Sequence, residues 1–107
     1  MKISIAMTTF NGAEYLQEQF QSFVYQTQQP DELIIIDDCS TDETETIIPE
    51  FAKVSPFTVE YSQNENNLGY CGNFNAALMK TKGDCVFLSD QDDVWLDSKI
   101  AKITEIF

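Results

Sequence analysis

Three carboxylates stand close together in the segment Asp90-Gln91-Asp92-Asp93, directly after the apolar run 85–88. Side chains at positions i and i+2 of an extended segment point the same way, so Asp90 and Asp92 can converge on one point. Two converging carboxylates without a basic neighbour repel each other unless a cation lies between them. The spacing therefore predicts a divalent-metal site at the end of a strand. The alternative that local sequence leaves open is a solvated acidic loop, which is common on acidic proteins.

The composition restricts the available chemistry to carboxylates, amides, hydroxyls, backbone groups or a metal. The 107 residues include 18 acidic and 6 basic side chains, all six of them lysine, with no histidine and a formal charge of −12. Nucleic acids and anionic membranes need a cationic face, which this chain can hardly assemble. Without histidine, Ser-His and Cys-His catalysis and imidazole metal ligands are excluded.

The cysteines and the N-terminus indicate a reducing, cytoplasmic location. Cys39, Cys71 and Cys85 are too far apart for a zinc knuckle and are interpreted as free thiols. The first seven residues are too short and too interrupted for a signal peptide, and no apolar run reaches membrane-spanning length. Because the chain stops at Phe107, on the apolar face of an expected helix, we expect a truncated domain.

Strands and amphipathic helices are predicted to alternate along the chain. Apolar runs predict strands at 3–7, 33–36, 57–61 and 85–88, and one-sided stripes predict helices after each of them. This order implies right-handed crossovers and a parallel sheet covered by helices on both faces. The expected fold class is α/β, a Rossmann-like open and mainly parallel sheet with strand order 3-2-1-4.

Helix ends carry their own signals. Asn11 followed by Glu14 is a capping-box pattern that predicts a helix from about Ala13, and residues 40–43 repeat the pattern for a second helix. Pro49 is expected to kink or shorten that second helix. Gly83 is expected to cap the C-terminus of the third.

Polar clusters follow three of the four predicted strands: Thr8-Thr9-Phe10-Asn11, Asp37-Asp38 and Asp90-Gln91-Asp92-Asp93. Ligands of open parallel sheets bind beyond the carboxyl ends of the strands, so the order 3-2-1-4 would bring these clusters side by side. Neither a three-glycine phosphate fingerprint nor a Walker lysine motif is present. An acidic pocket without arginine needs Mg²⁺ or Mn²⁺ to bind phosphates. Taken alone, Asp37-Asp38 is better explained as the solvated end of a strand than as a functional site.

Together these motifs resemble family 2 glycosyltransferases. The matching segments are 8–12 with Glu14 and Leu16, Asp37-Asp38-Cys39-Ser40-Thr41-Asp42, Asn66-Asn67-Leu68-Gly69, and Ser89-Asp90-Gln91-Asp92-Asp93-Val94-Trp95. The resemblance implies the GT-A fold, a nucleotide-diphospho-sugar donor and a DxD metal motif. It is strongest toward the bacterial branch that transfers rhamnose, galactose and related sugars onto surface polysaccharides.

The resemblance also implies residue roles. Asp92 would be the principal metal ligand, and Asp90 would position the metal or the ribose. Asp38 would accept the imide N–H of uracil or thymine, which favours UDP- or dTDP-linked donors. Many relatives carry proline where this chain has Thr8, and many carry an arginine near Asn73. The implied nucleotide-sugar-binding set is Thr8, Thr9, Phe10, Asn11, Glu14, Asp38, Gly69, Asn73 and Asp90.

The implied reaction is a metal-dependent single displacement with inversion at the sugar carbon. In the family, the carboxylate base that deprotonates the acceptor lies downstream of the DxD motif. These 107 residues are therefore expected to form the donor-binding part, incomplete for catalysis. The acceptor would be a saccharide or a lipid-linked sugar, so the whole protein could work at the inner membrane face.

Three alternatives remain at the level of sequence. Asp90-x-Asp92-x-Val94 after an apolar strand also fits an aspartyl-nucleophile phosphatase of the haloacid dehalogenase type, although that motif usually opens the chain. A phospho-receiver domain fits the length and Asp37-Asp38, but the third predicted strand ends in no aspartate. A catalytically incomplete nucleotide-binding module is the third. Trp95 is expected to pack in the core rather than against a sugar.

Overall fold

The computed structural model describes residues 1–90 and 93–106, without the side chain of Tyr70. Within those ranges, strands and helices alternate along the chain as the apolar pattern predicts. The strands are β1 (Ile3–Thr9), β2 (Glu32–Asp37), β3 (Thr58–Gln63) and β4 (Cys85–Ser89), and the helices are α1 (Ala13–Val24), α2 (Thr44–Val54), α3 (Gly69–Lys80) and α4 (Lys99–Thr104).

The strands form one parallel sheet in the order β3-β2-β1-β4, which confirms the predicted topology. Every residue of β1 and β2 is buried, because both faces of these central strands are covered. The pairing brings Thr9 opposite Asp37 and Met7 opposite Ser89. The carboxyl ends of β1, β2 and β4 consequently lie next to one another.

Alternate residues of the strands supply two cores, one on each face of the sheet. Ile5, Met7 and Leu33 belong to the larger core, which also receives apolar side chains of α1, α2 and α4. Ala6 and Ile34, one position away, belong to the smaller core beneath α3. The helices therefore cover both faces, as predicted.

Aromatic side chains join the elements of the larger core. The rings of Phe20 in α1 and Phe51 in α2 stack with centroids 4.2 Å apart. Trp95 is 7% exposed, and its ring packs edge-on against Phe23 at 4.8 Å and in a tilted arrangement against Phe87 at 5.8 Å. The prediction that Trp95 is a packing residue is confirmed.

The start of α1 is predicted correctly, but its capping is not. Gly12 occupies the N-cap position and has no side chain of its own with which to cap the helix. Asn11 has a φ of 49°, and its Oδ1 accepts a hydrogen bond from the backbone N–H of Thr41 at 2.7 Å. The capping box expected between Asn11 and Glu14 is therefore wrong, because a residue of a distant turn takes the asparagine side chain.

Asp42 contacts the N-termini of two helices, whereas the local sequence pattern predicts a cap for the second helix only. Its carboxylate accepts the backbone N–H of Thr44 at 3.0 Å, at the start of α2. The same carboxylate accepts the N–H of Ala13 at 3.1 Å, at the start of α1. One acidic side chain thus serves two helix N-termini, where negative charge is favourable.

Two further expectations concern helices. Pro49 lies inside α2, which runs on to Val54, so it does not shorten the helix. Gly83 does not cap α3, because α3 ends at Lys80. A Cβ at Gly83 would lie 2.3 Å from the Ser4 hydroxyl oxygen, so the glycine instead permits close approach of the chain to β1.

Among the described helices, none is long and apolar enough to cross a membrane. The three cysteines are free thiols, as expected.

Candidate functional site

A cleft of about 340 Å³ opens at the carboxyl edge of the sheet. It lies over the ends of β1, β2 and β4 and beside the start of α3, as the strand order requires. Seven of the residues that the sequence suggests for donor binding line it, and Asn67 joins them. The described lining residues are Thr8, Thr9, Phe10, Asp38, Asn67, Gly69, Asn73 and Asp90.

Three other residues that the sequence suggests for the site are not among the described residues that line the cleft. Asn11 is exposed and joins the turn after β1 to the turn after β2 through Thr41. Glu14 is exposed in the first turn of α1 and is not among the residues that line the cleft. Asp92, the suggested principal metal ligand, lies with Gln91 outside the described residues.

Asp38 forms the floor of the cleft and is 5% exposed. Its carboxylate accepts hydrogen bonds from the Asn64 amide at 3.0 Å, from the Leu68 N–H at 2.8 Å and from the Gly69 N–H at 3.2 Å. Burial acts to raise the pKa of this carboxyl, but the hydrogen bonds outweigh it and hold the pKa below its usual value. Asp38 is therefore an ionised acceptor that anchors the loop before α3.

Asp37 is fully buried and is not among the residues that line the cleft. Its carboxylate accepts the Thr9 hydroxyl at 2.6 Å and the backbone N–H of Ser40 at 2.9 Å. These contacts tie the end of β1 to the turn that follows β2. The interpretation of Asp37-Asp38 as a solvated strand end is wrong, since both carboxylates are buried and hydrogen-bonded.

Asn64 links the loop to α3, a role that the sequence does not reveal. Its Nδ2 group donates to Asp38 and also to Oδ1 of Asn73 at 2.6 Å, and Asn73 is 4% exposed. The thiol of Cys39 donates to the Asn64 carbonyl at 3.1 Å, from a residue with a φ of 64°. The asparagine-rich composition of the loop indicates polar bonding, but local spacing cannot indicate the partners.

Asp90 closes the opposite side of the cleft, at the end of β4. The Thr8 hydroxyl lies 3.4 Å from its Oδ1 atom, and its backbone N–H donates to the Asp93 carboxylate at 3.1 Å. Among the described lining residues, Asp38 and Asp90 are the charged ones, and both are acidic. Hard oxygen donors of this kind match the preferences of Mg²⁺ and Mn²⁺. The described residues contain no group of three or more acidic, cysteine or histidine side chains that could hold a metal by themselves.

A larger depression of about 430 Å³ lies between α1 and α2. Its walls include Phe20, Phe51 and Val54, with Glu50 as the charged residue among the described lining. None of its described lining residues belongs to the polar clusters at the carboxyl edge of the sheet. Volume alone therefore does not identify the functional site.

Comparison with known proteins agrees with this geometry. Residues 4–107 match the family described as "Glycosyl transferase family 2". The chain belongs to glycosyl transferase family 2. A glycosyltransferase of Nostoc sp. is 35% identical over 107 residues, covering 100% of this chain and 33% of the relative. The dTDP-rhamnosyl transferase RfbG of Shigella flexneri is 34% identical over 98 residues, covering 88% of this chain and 34% of the relative.

Solved structures show that this family 2 chain has the GT-A fold. The structure of Staphylococcus aureus TarS with UDP-GlcNAc has a TM-score of 0.88 and 29% identity, covering 98% of this chain and 30% of that one. A Pyrobaculum calidifontis mannosyltransferase in complex with GDP-Man and Mn²⁺ shares the fold at a TM-score of 0.89 and 22% identity, covering 97% of this chain and 31% of that one. The chain thus spans about a third of the length of these glycosyltransferases.

Proposed function

We propose that this chain binds the nucleotide-diphospho-sugar donor of a family 2 glycosyltransferase. The observation that carries the proposal is the cleft at the carboxyl edge, where seven residues suggested by the sequence converge from separate elements. Family membership and the named ligands of TarS support this class of donor.

The nucleobase would lie over the end of β1, against Thr8 and Phe10. Phe10 is 45% exposed, so its ring can stack on a base without rearrangement of the core. Asp38 is ionised and can only accept hydrogen bonds, so it suits a base that presents an imide N–H. Uracil and thymine meet that requirement; guanine also presents N–H donors, so the preference for UDP- or dTDP-linked sugars is supported by the named UDP-GlcNAc ligand of TarS and by the name of RfbG. Gly69 and Asn73 would border the ribose and the diphosphate.

A divalent cation would complete the diphosphate end of the pocket. A diphosphate beside Asp38 and Asp90 adds negative charge to a lining that holds no described cationic side chain. Asp90 and Asp92 would hold Mg²⁺ or Mn²⁺, which when bound stabilises the departing nucleoside diphosphate as a Lewis acid. The carboxylate of Asp90 and the hydroxyl of Thr8 would orient the diphosphate side of the donor.

The wider reaction is part of the same proposal. The sugar would pass with inversion to a saccharide or lipid-linked acceptor in surface polysaccharide synthesis, on the cytoplasmic side. The name of RfbG supports this class of transfer. We assign no general base among these 107 residues and propose that it belongs to another part of the protein.

Isothermal titration calorimetry of the chain with UDP, dTDP and GDP, each with Mn²⁺ or with EDTA, tests the proposal. We expect UDP or dTDP to bind more tightly than GDP, and at least about tenfold more tightly with Mn²⁺, since one tenfold step needs only about 1.4 kcal/mol. Asp92→Asn should abolish the Mn²⁺ increment but not the binding measured in EDTA.

Glu65→Gln is the matched control, because it removes one exposed carboxylate from the loop next to the cleft. It should retain the parental Mn²⁺ increment. Equal nucleotide affinity with Mn²⁺ and with EDTA in the parent chain would overturn the metal-dependent donor site.

A further inference from the structure

Two buried glutamines, Gln19 in α1 and Gln26 just beyond its C-terminal end, face the segment that carries the acidic cluster. Gln19 is 0% exposed and Gln26 is 3% exposed, so both amides are shielded from water. A buried amide costs free energy unless it is hydrogen-bonded, and an apolar residue would suit this stripe. The partners of these amides therefore indicate why glutamine occupies both positions.

Gln19 is hydrogen-bonded to the end of β4. Its Nε2 group donates to the Ser89 hydroxyl at 2.9 Å and to the backbone carbonyl of Asp90 at 2.6 Å. Ser89 is itself fully buried, so the contact is shielded from water. This bond fixes the backbone of Asp90, which precedes the rest of the cluster in the sequence.

Gln26 is hydrogen-bonded to the same segment at residues that follow the acidic cluster in the sequence. Its Nε2 group donates to the Leu96 carbonyl at 2.6 Å, and its Oε1 atom accepts the backbone N–H of Ile100 at 3.1 Å. A third contact, from the Thr27 N–H to the Asp97 carbonyl at 2.8 Å, lies beside it. The segment is thus hydrogen-bonded to α1 at Asp90 and to the residues that follow α1 at positions 96–100.

We propose that Gln19 is a positioning residue for the divalent metal, with Gln26 fixing the other end of the same segment. The inference rests on the proposed donor site and adds to it. Gln19 touches neither the metal nor the donor and acts through the backbone of Asp90. Groups that orient metal ligands in this way typically change metal affinity 10–100-fold when they are removed.

The test compares Gln19→Leu with the parent chain in two calorimetric titrations. The first measures Mn²⁺ binding in the presence of saturating UDP, where we expect about tenfold weaker affinity. The second measures UDP binding in EDTA, where we expect less than about a twofold change, because the base pocket over β1 is untouched. A merely structural role would lower thermal stability and would not separate the two affinities.

Gln29→Leu is the matched control, since it removes another amide of the same region whose Nε2 group donates to the carbonyls of Val24 and Gln26. It should bind Mn²⁺ as the parent does. If Gln19→Leu fails to fold, Ser89→Ala replaces it and should show a smaller loss, because Gln19 keeps the Asp90 carbonyl.

Parental Mn²⁺ affinity in the folded Gln19→Leu chain, or in Ser89→Ala where that replaces it, would overturn the inference and leave the donor site intact. An equal loss in both titrations would also overturn it, as a sign of general distortion. A parent chain without any Mn²⁺ effect would overturn the donor-site proposal and this inference together.

Discussion

Replacing Asp38 with asparagine tests how the floor of the cleft supports the loop above it. The amide oxygen of Asp38→Asn can still accept from the Asn64 side chain and the Leu68 N–H, which share one carboxylate oxygen in the parent. The new NH₂ group then faces the Gly69 N–H, which donates to the other oxygen at 3.2 Å. Two hydrogen-bond donors then face each other where the parent pairs a donor with an acceptor. The loop therefore loses the hydrogen bond made by the Gly69 N–H.

The expected magnitude follows from those contacts. A hydrogen bond to a charged group contributes about 1.5–3 kcal/mol, and Gly69 is exposed, so water can partly replace its lost partner. We expect a net destabilisation of about 1.5 kcal/mol, or roughly 6–12 °C in Tm for a domain of this size. The affinity for UDP should fall about tenfold, because the variant also loses part of its acceptor for the base.

Differential scanning fluorimetry and calorimetry with UDP measure the two effects. Glu65→Gln removes the same charge from an exposed site in the same loop and should leave both values near those of the parent. An Asp38→Asn chain with parental Tm would refute the anchoring role. Lowered Tm with unchanged UDP affinity would refute the contribution of the loop and of Asp38 to nucleotide binding.

The pH dependence of the same variant provides a second readout. Burial acts to raise the pKa of Asp38, Asp42 and Glu32, but the hydrogen bonds they accept outweigh it and lower each pKa below the ordinary 3.8 or 4.5. A lowered native pKa gives stability that is complete above the unfolded-state pKa and is lost as the pH falls through the native value. The parent Tm should therefore decline below about pH 4.5, and Asp38→Asn should decline less steeply because one of these groups no longer titrates.

Two further substitutions test the close packing and the shared cap. Gly83→Ala would bring a Cβ to 2.3 Å from the Ser4 hydroxyl and 2.9 Å from the Ser4 backbone nitrogen. We therefore expect a loss of about 1–3 kcal/mol in chemical denaturation, and parental stability of the variant would contradict the packing role. Asp42→Ala should lower the free energy of unfolding by about 1–3 kcal/mol, more than the loss of one ordinary cap, because it uncaps two helices. The control is Glu43→Ala, which removes the neighbouring exposed carboxylate. A loss no larger than that of the control would refute the double cap.

Much of the fold could be predicted because the signals for it are local and repeat along the chain. The apolar run Leu33–Ile36 is buried on both faces, as a central parallel strand must be. Polar turns after the strands predict which residues line the cleft, because the carboxyl ends of parallel strands meet at one edge. Thr8, Phe10 and Asp38 are found there as expected.

The partners of those residues could not be predicted, because they come from distant parts of the chain. Asn11 and Glu14 match a capping box in type and spacing, yet the Asn11 side chain bonds Thr41, 30 positions away. Gly83 resembles a helix cap, but its lack of a Cβ serves a contact with Ser4, 79 positions away. Local spacing shows which polar groups are available, but it does not show which of them contact each other in the folded chain.

The sequence by itself determined the class of chemistry, the order of the elements and the edge of the sheet where a ligand should bind. The residue types determine the class of chemistry, and the apolar periodicity determines the order of the elements. The parallel direction of the strands determines the edge at which a ligand should bind. Only the tertiary structure decided how the site is held, with Asp38 anchoring the loop and Gln19 reaching the backbone of Asp90, 71 positions away. The physical reason is that a buried polar group must find a partner wherever packing brings one, and packing joins residues without regard to their distance along the chain.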